Sequence, residues 1–329
     1  MSSSKETRGS DSRLRIKRKK VWGDDGVAAT VGTILSLMVF LTFLGMFTNQ
    51  YVPIWMKDNE NKHMNQIIGE FSNMKSAMDL QILGSNSQVA NAPIYSPIQL
   101  HADGVPIFAS PTIGELGFVG MDSNSLPTVS FTYSYYANAG AAGILKYLTL
   151  DEAGGTLTGG MIEFVGPNRY FVQQSVTYEN GAIILNQTDG EVVLSGVSMK
   201  ITTLENGNNK VLMTHTSLIG DDKTIGGFGT KSITTALDYA SYIDVNNSGD
   251  SVPNDLVITI NSEHGVAWAN YYRAMLGDNQ VPDYDVPDPV KHTTAGGTIY
   301  YTVTVTIHDV VTLEFTKAVA TVAIADIGV

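Results

Sequence analysis

Val27 to Phe47 is a run of 21 residues without a charge, and no other feature limits the chain's fate as strongly. As an α-helix it is about 31 Å long, close to the thickness of a bilayer's hydrocarbon core. Leu, Ile, Phe and Val near its centre each favour insertion by about 0.3–0.6 kcal/mol. A removable secretory signal has a shorter apolar stretch, about 7–15 residues, with a small-residue cleavage site after it; here "TNQYVP" follows. The run therefore reads as a transmembrane helix that is retained. Arg13, Arg15 and Lys17 to Lys20 precede it, and Lys57 is the first basic residue beyond it. Basic flanks stay on the cytoplasmic side, which predicts a single-pass protein with its amino terminus inside and residues after about 48 outside. Asp24 and Asp25 suit a helix start, where short acids accept from free N–H groups and favour the positive end of the dipole. Ala28, Gly32 and Ser36 recur every four residues on one face, the register that lets two membrane helices approach closely. Small residues are also common in membrane helices that pack against nothing.

Charge is unevenly spread. Residues 1–26 hold eight Lys/Arg against four acids, whereas the rest of the chain holds 12 basic and 28 acidic residues. An acidic body of this kind repels nucleic acid, whose binding needs dense Lys/Arg, so nucleic acid is excluded as a partner and membrane lipid is the expected one. Hydrophobic residues make up 43% of the chain, enough for a real core. There are no cysteines, which rules out disulfides, thiolate metal sites and cysteine nucleophiles.

The basic cluster, the glycine and the apolar run together resemble the class III signal peptide of archaeal type IV pilin-like proteins, and "VAATVGTIL" is similar to the opening of haloarchaeal pilin helices. That resemblance implies cleavage by a prepilin peptidase between Gly26 and Val27, or alternatively after Gly23, with the helix kept. It also implies a cell-surface structural or adhesion protein, with self-association or other pilin-like subunits as partners. Val31 stands where many type IV pilins carry a glutamate.

Residues 48–83 continue as an amphipathic helix. Ile67, Phe71, Met74 and Met78 keep a three/four spacing, and Lys57, Asp58, Glu60, Lys62 and Lys75 are expected on the opposite side. Pro53 is expected to kink or break the helix. Residues 84–112, rich in Pro, Gly, Ser and Asn, read as a linker with at most one short strand. From 113 to 329 the pattern is β. "TVSFTYSYYAN", "YFVQQSVTYENGAIILNQ" and "GTIYYTVTVTIHDVVTLEF" alternate and are rich in β-formers, with turn clusters at 179–181, 188–190 and 205–209. The predicted fold class is α+β: a long amino-terminal helix, then a mainly antiparallel, sandwich-like head. One helix, Ser262 to Gly277, interrupts the strands, with Ser262 as its cap.

The head carries few chemical signatures. "DVNNSGDSVPND" places Asp244, Asn246, Ser248, Asp250 and Asp255 in a spacing that resembles the Ca²⁺ loop of EF-hands and dockerins; a polar turn between strands explains the same residues. Asn186 and Asn246 begin N-glycosylation sequons. Six scattered histidines lack zinc spacing. "GGFG" at 226–229 lacks the Lys-Ser ending of a phosphate loop and reads as a turn, and "PDYDVPDP" at 282–289 reads as an extended loop. No catalytic residue and no cofactor beyond that Ca²⁺ loop are expected. The reading is a pilin-like anchored surface protein, not an enzyme; a non-polymerising anchored module that binds calcium, glycan or a cell-wall partner is the alternative.

Overall fold

A computed structural model describes residues 24–85, 92–120, 129–135, 156–246, 254–294 and 296–326. The chain divides into two compact units, Met1–Tyr51 and Val52–Val329. The first contains helix α1, Asp24–Met46, and a wider π-helical turn, Phe47–Tyr51. The second opens with α2, Val52–Gly84. Pro53 thus follows the π turn within a continuous run of helix, where its missing N–H and its ring disturb the preceding turn.

The head strands, in chain order, are β1 Ile94–Gln99, β2 His101–Ala102, β3 Thr112–Ile113, β4 Glu115–Val119, β5 Val129–Tyr135, β6 Thr156–Gly159, β7 Met161–Gly166, β8 Gln174–Glu179, β9 Ala182–Gln187, β10 Gly190–Ser195, β11 Met199–Thr203, β12 Asn209–Ile219, β13 Lys223–Gly226, β14 Thr230–Asn246 and β15 Asn254–Ser262. Helix α3, Gly265–Asp278, follows, then β16 Tyr284–Asp285, β17 Val290–Thr293 and β18 Ile299–Asp326. The chain is therefore α+β with a mostly antiparallel head. The expected linker 84–112 holds three short strands rather than at most one.

Among the described residues, ten strands form one sheet around β18. Val310 pairs with Asn254 of β15 on one edge and Asn209 of β12 on the other. The β12 pairing is parallel, an exception to the antiparallel expectation. Beyond it, β14 pairs with Thr312–Asp326. A second sheet runs β10-β9-β8-β7-β4-β13. The chain passes between the sheets at Gly160, where a Cβ would meet Phe118 and the Val119 carbonyl at 2.5 and 2.6 Å, so only glycine fits. At 180–181 the predicted hairpin turn forms: Asn180 (φ 46°) and Gly181 (φ 77°) both take the left-handed conformation that a two-residue type I′ turn requires.

The middle of the six-stranded sheet is covered on both faces, which is why every residue of β8 is buried. Ile162, Phe164, Val176, Tyr178 and Ile183 join Met64, Ile67, Phe71, Met74 and Met78 of α2 in one core. Ala182 and Ile184 point the other way and join Trp268 and Tyr272 of α3 with Phe131, Val305 and Phe315 in the second core. Two residues expected on the polar side of α2 are corrected: Glu60 is 0% exposed and Lys75 is buried. Glu60 continues the line Val52, Met56, Glu60, Met64 at four-residue spacing, so helix geometry places it inward.

Candidate functional site

The first candidate is α1 itself. No side chain described between Val27 and Tyr51 is buried; Ile34, Leu37, Phe40 and Phe43 are each more than half exposed. An apolar surface of this length facing outward all round is unstable in water and stable in lipid. Its hydroxyls are handled as lipid demands: Thr33 donates to the Thr30 carbonyl, Thr42 to Met38 and Thr48 to Leu44, each at 2.8 Å. Ala28, Gly32 and Ser36 lie along this exposed surface, and nothing approaches within 4 Å of a Cβ built on Gly32. The Gly26–Val27 junction lies in the first turn of α1.

The second centre is the buried carboxyl of Glu60 on α2. Its Oε1 accepts from the Thr112 hydroxyl at 2.6 Å and from the Arg169 N–H at 3.0 Å; its Oε2 accepts from the N–H groups of Tyr170 and Phe171 at 2.8 and 2.7 Å. Both oxygens only accept, as a carboxylate does. One side chain thereby fixes the β7–β8 loop and the start of β3 against α2. One residue earlier, the Asn59 amide donates to the Asp103 carbonyl at 3.0 Å.

The third centre surrounds the start of α3. Glu191 of β10 accepts from the Ala267 N–H at 2.9 Å and lies 3.0 Å from His264 Nδ1. Glu179 of β8, wholly buried, accepts from the Ser262 hydroxyl at 2.8 Å and from the Trp268 indole N–H. Ser262 also accepts from the His264 N–H at 3.0 Å. It therefore serves the chain just before the helix, not as the cap; His264 holds the cap position. Burial opposes a charged imidazole at His264, but the Glu191 hydrogen bond and the charges of Glu179, Glu191 and Glu163 outweigh it, and the pKa rises to about 9. Burial pushes the Glu179 pKa up, against the charge of His264 and its two hydrogen bonds. Beside this centre, His215 lies between the Tyr133 hydroxyl and the Ser217 hydroxyl at 2.9 Å each; burial pushes its pKa down to about 3. His264 and His215 are 4% and 1% exposed, so these groups face protein and not substrate. They bolt α3 and the two sheets together.

The remaining sequence-predicted positions are dispersed. Asp244 lies exposed on β14 opposite Glu314, and Asp255 on β15 lies 2.9 Å from His308 Nδ1. Asn246 ends β14, whereas Ser248 and Asp250 lie outside the described residues. Among the described residues no three His, Asp or Glu side chains gather in a metal-binding group. Asn186 is exposed on β9 and lines a shallow groove with Gln174 and Gln187. Asp288 of the "PDYDVPDP" segment pairs with Arg273 of α3 at 2.7 Å. A deeper groove of about 390 Å³ has Val197, Met199 and Met213 among its apolar lining residues and Lys200, Tyr242 and Glu314 among its polar ones. Sequence reasoning missed the Glu60 and Glu179 centres. The four-residue line through Glu60 was a usable signal; Glu179 reads only as part of a turn. No known protein family, characterised protein or solved structure matches the chain.

Proposed function

We propose that the protein is a membrane-anchored surface protein of archaeal type IV pilin-like character, whose α1 is retained in lipid and whose β-rich, sandwich-like head is displayed outside the cell. The observation that carries this reading is the all-round exposure of an apolar helix of bilayer length. A soluble core helix would be largely buried. The basic leader supports the orientation, and the acidic balance of the rest suits a solvated outer surface. The role is structural or adhesive, with membrane lipid as first partner. Processing by a prepilin peptidase at Gly26–Val27, and assembly with like subunits through the Ala28, Gly32 and Ser36 face, belong to the same proposal. Glycans at Asn186 and Asn246 fit the outside location.

The amino-terminal sequence and intact mass of the protein extracted from native membranes test it. A terminus at Val27 or Asp24 supports prepilin-type processing; an intact start supports a plain anchor; loss of everything through Phe47 refutes both. The second reading, a non-polymerising binding module, draws on the 390 Å³ groove beside β11 and β12, whose apolar lining and charged rim suit a ligand with an apolar body and polar substituents.

A further inference from the structure

Three loops of the head gather around the early turns of α2. The β7–β8 loop is held to Glu60 through Arg169, Tyr170 and Phe171. The β2–β3 loop is held to Asn59 through Asp103 and to Glu60 through Thr112. The β13–β14 turn reaches the same place through His101: its Gly229 N–H donates to His101 Nδ1 at 3.1 Å, and Phe228 stands edge-on to the His101 ring at 5.7 Å. His63 of α2 lies 2.7 Å from the Gln99 carbonyl just before them.

All three loops present large apolar side chains to the outside. Ile107 is fully exposed and, at φ 72°, holds a left-handed conformation that a β-branched residue rarely adopts. Phe228 is 61% exposed between Gly227 and Gly229, both at positive φ. Tyr170 is 41% exposed beside the exposed Arg169. On α2, Ile54 and Trp55 are exposed as well. Ile107 holds this strained conformation while fully exposed, and a strained residue kept in this way is a pointer to function. The charges nearby nearly balance: Lys57, Lys62 and Arg169 against the exposed Asp58 and Asp103, with Lys62 paired to Asp58 at 2.6 Å.

We propose that this end of the head is a lipid-docking surface, in which Ile107, Phe228 and Tyr170 enter the headgroup layer of the bilayer that holds α1. The occupant follows from covalent continuity. Asn59 and Glu60 lie only about 8–9 Å of helix beyond Ile54, and Val52 directly follows Tyr51. Lipid headgroups extend several ångströms past the hydrocarbon edge. Aromatic and aliphatic side chains with an occasional arginine are the set that partitions there. The near balance of charge makes the contact apolar, so it forms on zwitterionic phosphatidylcholine and survives high salt. Docking limits the tilt of the head and sets which face is displayed outward. This inference rests on the anchored reading.

Because the chain lacks cysteine, single cysteines at Ile107, Phe228, Leu35 and Val290 can carry an environment-sensitive fluorophore in the full-length protein reconstituted into phosphatidylcholine vesicles. Leu35 reports the anchor. Val290 is exposed and pairs with Thr302, about 80 Å of strand contour from the Asp326 end of β18 that pairs beside β1. With spin-labelled headgroups, labels at 107 and 228 are expected to be quenched at least threefold more than the label at 290, equally in 0.1 and 1 M salt. If the label at 35 is quenched by acyl-chain spin labels while 107 and 228 match 290, docking is refuted and the anchor stands. If the label at 35 is not quenched, the anchored reading fails and docking fails with it.

Discussion

Replacing Glu60 probes how the head is fastened to α2. Its side chain is fully buried and accepts four hydrogen bonds, three from consecutive backbone N–H groups. Hydrogen bonds to a charged group contribute about 1.5–3 kcal/mol each, so four would sum to about 6 kcal/mol at the lower figure. Arg169 and Tyr170 are at the surface, so their N–H groups can turn to water once released. The expected loss for Glu60→Ala is therefore about half, ~3 kcal/mol. Glu60→Gln keeps one accepting oxygen and turns an NH₂ toward the other donors, for about 2 kcal/mol. Urea unfolding of the full chain in detergent micelles measures this, with wholly buried Trp268 as the reporter of the head and an unchanged m-value as the check. Hydrogen exchange localises it: protection should fall at residues 169–171 well before it falls at β8. A Glu60→Ala protein within 1 kcal/mol of the parent, with 169–171 still protected, would refute the clamp.

Further outcomes follow from the buried groups. His264 has its pKa raised from 6.5 to about 9, so its stabilisation is complete below pH 6.5 and lost as pH rises through 9. Its contribution is on the order of 3 kcal/mol, and in His264→Gln the fall in stability between pH 6.5 and 9 should flatten. His215 behaves oppositely: with its pKa pushed down to about 3, its contribution is present above pH 6.5 and lost on acidification, and His215→Gln should lessen acid unfolding between pH 6 and 4. Glu179→Gln should lower the His264 pKa, because the Glu179 charge helps hold the imidazolium, while an oxygen remains for the Trp268 indole. Glu179→Ala should cost about 3 kcal/mol by orphaning that indole and opening a cavity. Gly181→Ala, at φ 77° in the β8–β9 turn, should cost about 1 kcal/mol in the same urea assay.

Much of the architecture was readable because single-element signals are local. The charge-free run gave α1, the three/four stripe gave the buried face of α2, and "ENG" gave the turn at 180–181. The strands of 94–113 were hidden by composition. Pro97 sits in β1, and β1 is the end strand of its path, where a missing N–H is tolerated. The parallel β12–β18 pair could not be read, since pairing partners 100 residues apart leave no local trace. The buried acids were misjudged for a related reason. Glu60 looks like a solvent residue until loops from residues 112 and 169–171 arrive to satisfy it, and Glu179 until Ser262 and Trp268 do. The Ca²⁺ spacing at 244–255 begins on β14 with Asp244 and Asn246 and ends on β15 with Asp255.

The most direct measurement is the depth of α1 in the native membrane. Membranes are washed at high pH and treated with protease from the outside, and the protected fragment is sequenced. Retention in lipid predicts that the protein resists the wash and leaves a fragment that includes Val27–Phe47 and ends near Tyr51 or Trp55. Release of the intact chain into the wash, or cleavage within Val27–Phe47, would contradict it.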